Sequence, residues 1–114
     1  MPITAVMPSL AVVDFEQSVD WYTRLFGRAP DRSPMTGTVE WDLVNGGGLQ
    51  LSVGVEHAGQ TVVLAVDNID SELAALAARR LDAQASTVPS GQFRLAAIED
   101  PAGNTIVLSQ TLDS

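Results

Sequence analysis

Apolar and polar positions along the chain fall into two rhythms. Residues 4–14, "TAVMPSLAVVD", alternate and end at Asp14, the period of a strand with one buried face. From Phe15 to Phe26 the period lengthens: Val19, Tyr22 and Phe26 share a stripe, with Trp21 and Leu25 beside it. That spacing predicts a helix, and Gly27 is placed to cap its end. "TVEWDLV" (38–44) alternates again, with Val39, Trp41 and Leu43 on one face. "NGGG" (45–48) signals a hairpin, and "LQLSVGV" (49–55) returns with Leu49, Leu51 and Val53 facing one way and Gln50 and Ser52 the other.

The same order then recurs. "TVVLAVDNID" (61–70) opens a second strand-and-helix pair, and "DSELAALAARRL" (70–81) is rich in strong helix formers. "AQASTV" (83–88) and "GQFRLAAIED" (91–100) read as strands. "DPAGNTIVLSQ" (100–110) supplies a turn and the last strand. Asp100 opens that turn, Pro101 presets one φ, and Gly103 and Asn104 tolerate positive φ. A shift of 54 residues lays Leu10–Gly27 over Leu64–Leu81, and a shift of 57 lays "NGGGLQLS" over "AGNTIVLS". Each half therefore reads β-α-β-β-β, with modules at about 1–56 and 57–114 of a single domain.

The pattern assigns faces as well. Leu10, Val12, Leu49, Leu51, Leu64, Val66, Ile106 and Leu108 are expected to meet the helices. Met7, Ser9, Ala11, Gln50, Ser52, Thr61, Val63, Ala65, Thr105, Val107 and Ser109 are left for the opposite face. None of these residues is charged. Twisted sheets curl, so two such faces are expected to line a hollow. The strand around Phe93 has two readings: either Phe93, Leu95, Ala97 and Glu99 face inward, or Gln92, Arg94, Ala96 and Ile98 do.

The 114 residues suffice for one domain with a core, and 46% of them are hydrophobic. No apolar run is long enough to span a bilayer, and the N-terminus lacks the basic and apolar regions of a signal peptide. With no cysteine, disulfides and thiolate metal sites are excluded, and a cytoplasmic protein is expected. Fourteen acidic residues against six basic ones, all arginine, leave a formal net charge of -8. Such a field repels nucleic acid and anionic membranes and attracts cations.

"LAVVDFEQSVDWYTRLFG" and "EDPAGNTIVLSQ" together resemble the opening and closing motifs of the vicinal oxygen chelate superfamily. Its members include glyoxalases, extradiol dioxygenases and bleomycin-binding proteins. The resemblance implies an α+β fold in which two paired βαβββ modules form a curved mixed sheet around a cleft, with the helices on the outer face. Metal enzymes of that superfamily chelate through inward-facing His and Glu. The corresponding positions here fall at Met7, Gln50, Thr61 and Val107, of which only Gln50 offers an oxygen of any strength. The sole histidine, His57, lies in the "GVEHAGQ" loop (54–60). No metal and no cofactor are therefore expected.

The expected function is binding of a small, cationic or aromatic drug-like molecule at Met7, Trp41, Gln50, Ser52, Thr61, Phe93, Leu95 and Val107. The resemblance further implies a homodimer. One alternative is a lyase, isomerase or dioxygenase-like enzyme with an atypical metal site. Metal-free acid/base chemistry by Glu40, Glu56, Glu99 or His57 is the variant of that alternative, and Glu40, Asp42, Glu56, Glu99 and Asp100 are the carboxylates that an atypical metal site could draw on. Another alternative is a non-catalytic sensory or partner domain.

Overall fold

The structure, a computed structural model, describes residues 1–54 and 59–112. The first module contains β1 (Ser9–Val12), α1 (Phe15–Phe26), β2 (Arg32–Met35), β3 (Thr38–Val44) and β4 (Gly47–Val53). The second contains β5 (Thr61–Ala65), α2 (Ile69–Ala78), β6 (Ser86–Thr87), β7 (Phe93–Glu99) and β8 (Thr105–Thr111). Each module is one four-stranded mixed sheet, ordered β1-β4-β3-β2 and β5-β8-β7-β6. The expected curved sheet is thus present as two sheets that share no strand pairing among the described residues. The boundary between modules falls at residues outside the described ones.

The internal repeat holds in register. Leu10 pairs with Leu51 in the first sheet, and Leu64 pairs with Leu108 in the second. Those equivalences are the shifts of 54 and 57 that the two halves of the sequence show. In both modules the first strand lies parallel to the last, and the helix makes the crossover between edge strands.

Helix α1 starts where Asp14 accepts a hydrogen bond from the Gln17 amide at 3.1 Å, an N-cap that satisfies one of the free donors of the first turn. It ends at Gly27, whose φ of 74° is left-handed, a conformation open to glycine without steric cost. Trp21, Tyr22 and Leu25 bury against Trp41, Leu49 and Leu51. Tyr22, Phe26 and Trp41 pack with ring centroids 5.3–6.1 Å apart, within the range of favourable aromatic pairs. Trp41 also donates its indole N–H to the Arg28 carbonyl at 2.9 Å.

Helix α2 stops three residues before the expected Leu81. Arg80 turns left-handed at φ 67°. The Leu81 amide donates back to the Leu76 carbonyl, and the Arg80 amide to that of Ala77. This is a Schellman ending, with buried Leu76 and Leu81 making its apolar contact.

Strand β2, "RSPM", carries no sequence signal. All four residues are exposed, and Pro34 sits on an edge, where a missing N–H is tolerated. Gly48 has a tighter reason: a Cβ there would stand 2.1 Å from the Trp41 carbonyl oxygen.

Candidate functional site

The faces assigned by alternation are the faces observed. Leu10, Val12, Leu49, Leu51, Ile106 and Leu108 are buried, and Leu64 and Val66 pack against the same core. The opposite face of each sheet is exposed or half-buried, apart from Thr38 at the start of β3. Register resolves the strand around Phe93. Leu95 pairs with Ser109 and Ala97 with Val107, so Phe93, Leu95, Ala97 and Glu99 belong to the open face. Arg94 turns to the helix side, where Asp70 of α2 takes its guanidinium at 3.0 Å. That ion pair is what makes an arginine acceptable there.

The open face of the first sheet is a linked polar row. Register places Ser9, Gln50, Glu40 and Arg32 side by side across all four strands. Ser9 donates to Gln50 Oε1 at 2.7 Å, Gln50 Nε2 donates to Glu40 at 2.8 Å, and Arg32 donates to Glu40 at 2.9 Å. Arg32 also pairs with Asp42, and Asp31 accepts from Arg28 and from the Asp42 amide. The Gln50 bond, and then Arg32, hold the Glu40 carboxyl below the usual range. The Asp42 amide and Arg28 do the same for Asp31. Hydrogen bonds to Asp42 and Glu40 stabilise the Arg32 cation. Each shift favours the charged form.

The open face of the second sheet carries an apolar row among hydroxyl side chains and Glu99. Val63, Val107 and Ala97 form a row across three strands. Leu95 lies half-buried beside them, and Val63 and Phe93 keep 62% and 40% of their surface exposed.

One buried residue ties the sheets together. Asn104, fully buried, donates to the Ala11 carbonyl at 3.0 Å and accepts from the Gln60 amide at 3.1 Å. It thereby joins the β1 edge to the start of β5. Its own position is held by Asp100, which accepts from the Ala102 amide, the Asn104 amide and Asn104 Nδ2 at 2.8–3.0 Å. Tyr22 of the first module donates to the same carboxylate at 2.7 Å. Burial first, then Asp100, pushes the Tyr22 hydroxyl well above its ordinary pKa. The turn expectation for Asn104 is corrected accordingly: positive φ occurs at Gly103 and not at Asn104, and the asparagine is there for its amide.

A cavity of about 590 Å³ lies between the modules. Leu25, Phe26 and Leu43 line it from one module and Leu64, Leu76 and Leu108 from the other. It includes none of the eight residues expected to bind ligand. Gln50 and Ser52 lie together on the first open face. Thr61, Val107, Leu95 and Phe93 lie on the second. Met7 is half-buried before β1, its Cε 3.1 Å from where a Gly48 Cβ would be. Trp41 is a correction: at 0% exposure it belongs to the core beneath α1, because its neighbours Val39 and Leu43 share the helix-facing side. Glu56 and His57 lie outside the described residues.

The sequence reading missed the partnership of Arg32 with Glu40 because β2 has no alternation to reveal it. In the structure Arg79 is half-buried and donates to the carbonyls of Arg24 and Leu25, capping the other helix.

The fold and its faces can now be set beside known structures. A glyoxalase/bleomycin resistance protein from Catenulispora acidiphila superposes with a TM-score of 0.87 at 28% identity, covering 95% of this chain and 98% of that one. This chain has the vicinal oxygen chelate fold. A lactoylglutathione lyase from Agrobacterium tumefaciens shares the fold at TM-score 0.75 and 18% identity, with 96% of each chain covered. So does a bleomycin-binding protein complexed with bleomycin, at TM-score 0.74 and 18% identity, covering 94% of this chain and 98% of that one. No family model matches the chain, and no curated protein sequence matches it.

The metal that this fold carries in its chelating enzymes does not fit the residues here. The four side chains expected at the chelating positions, those of Met7, Gln50, Thr61 and Val107, are a thioether, an amide, a hydroxyl and an alkyl group. The amide of Gln50 is already bonded through its oxygen to Ser9 and through its nitrogen to Glu40. Among the described residues no three His, Asp or Glu side chains converge. No helix is long and apolar enough to cross a membrane.

Proposed function

We propose that the protein binds a small cationic, partly aromatic molecule on its open sheet faces without a chelated metal. It acts as a cytoplasmic homodimer in which a second copy helps to enclose the ligand. The observation that carries this reading is the state of Gln50, the one strong donor among the four chelating positions, which is committed on both sides. The apolar row of Val63, Val107 and Ala97, with Phe93 and Leu95, offers burial to an aromatic group. The net charge of -8 draws a cation from a distance. The bleomycin-binding neighbour supplies the precedent for such a ligand on this fold, and drug sequestration would make the protein a resistance factor.

An acid/base enzyme is the weaker reading. A general base at neutral pH needs a raised carboxyl pKa, and Glu40 is held in the opposite direction. Asp100 is engaged by Tyr22 and by three donors of its own turn.

Titration calorimetry with bleomycin and with ethidium, in EDTA, tests the proposal. Binding should survive EDTA and weaken about tenfold between roughly 0.05 and 0.3 M salt, as screened attraction requires. Absence of binding to both compounds, or binding that EDTA abolishes, would contradict it.

A further inference from the structure

We propose that the cavity between the modules is a second binding site, for a single-chain amphipathic carboxylate of the medium-chain fatty-acid class. The inference stands apart from the open faces, since of the residues assigned to ligand binding there the cavity shares Val63 alone. Its volume of about 590 Å³ lies within the range of small-molecule sites. Leucines from both helices and three strands make its walls, together with Phe26.

The charged groups at its ends say what kind of molecule it suits. Arg79 lines the cavity and also an adjoining hollow shared with Arg24, Arg80 and Asp20, whose carboxylate is taken by Arg24. Half of the six arginines of a strongly acidic chain thus gather at one end. Arg24, Arg28, Arg32 and Arg94 each pair with a carboxylate. Among the described residues Arg79 and Arg80 have none. Arg79 uses Nε and Nη2 on the α1 carbonyls, which leaves Nη1 to receive an anion. Arg80 keeps its long side chain in a left-handed position where glycine would be easier. Glu72 borders the cavity near the start of α2, roughly 10 Å along the helix from Arg79 at 1.5 Å per residue. It repels a carboxylate from that end, so the head group belongs at Arg79 and the chain lies over Leu76, Leu64 and Leu108. The net charge opposes any anion at long range. At physiological salt that field is screened over about 8 Å, and the adjacent arginines dominate.

Methyl NMR with added decanoate tests the site, with decanol and decyltrimethylammonium as matched controls. Decanoate at sub-millimolar concentration should shift the Leu64, Leu76 and Leu108 methyls saturably. Arg80→Gln should weaken it about fivefold, the scale of one partly exposed ion pair. Val6→Glu, at an exposed position on the cavity rim, should abolish it. Both substitutions are at exposed side chains, and their amide spectra report whether the fold is kept. Unmoved methyls overturn the proposal. So do equal affinity for decyltrimethylammonium, shifts confined to Leu95 and Val107, or variants that bind like the native chain.

Discussion

Asn104 joins two strand edges with the two ends of a single amide, and Tyr22 and Asp100 hold it in place. Asn104→Ala orphans the Ala11 carbonyl and the Gln60 amide together. Urea denaturation should show a loss of about 2–4 kcal/mol, the scale of two buried groups left unpaired. Tyr22 carries a pH dependence as well. Its hydroxyl is held protonated in the folded chain, above the value it takes when unfolded. From about pH 10 upward, where a free tyrosine ionises, the unfolded state binds fewer protons than the folded one, so stability falls as pH rises. Tyr22→Phe should lower stability by about 1–2 kcal/mol at neutral pH and flatten that alkaline decline in thermal melts. Neither role was legible from sequence. Tyr22 reads correctly as a buried helix residue, but its partner is 78 positions away. Asn104 reads as a turn former, because asparagine is common in turns for local reasons that hide a long-range one.

At the scale of elements, periodicity carried most of the information. The bounds of α1 follow from Asp14 and Gly27, two residues with strong capping preferences. Trp41 shows the limit of that signal. Alternation placed it on the same side as Val39 and Leu43, and that side proved to be core rather than ligand wall. The end of α2 was misread because arginine occupies the left-handed position that glycine usually marks. Arg80→Gly should relieve that conformation and raise stability by about 1 kcal/mol in chemical denaturation. Strand β2 was illegible for another reason: an exposed edge strand has no buried face to enforce alternation.

For the whole molecule, the two modules repeat a backbone but not a surface. Equivalent strands carry a hydrogen-bonded polar row in one sheet and an exposed apolar row in the other. Six of the eight expected ligand-binding residues divide between these two faces, Trp41 being core and Met7 lying before β1, and the sequence alone could not say how the faces stand relative to one another. It could say that Met7, Gln50, Thr61 and Val107 make a poor chelating set, because that follows from side-chain chemistry. The Ser9 and Glu40 bonds to Gln50 strengthen the point. The most direct measurement is equilibrium dialysis of the purified chain against Zn²⁺, Mn²⁺ and Fe²⁺, followed by elemental analysis. The account predicts no ion retained in stoichiometric amount after exchange into metal-free buffer; one tightly held ion per chain would contradict it.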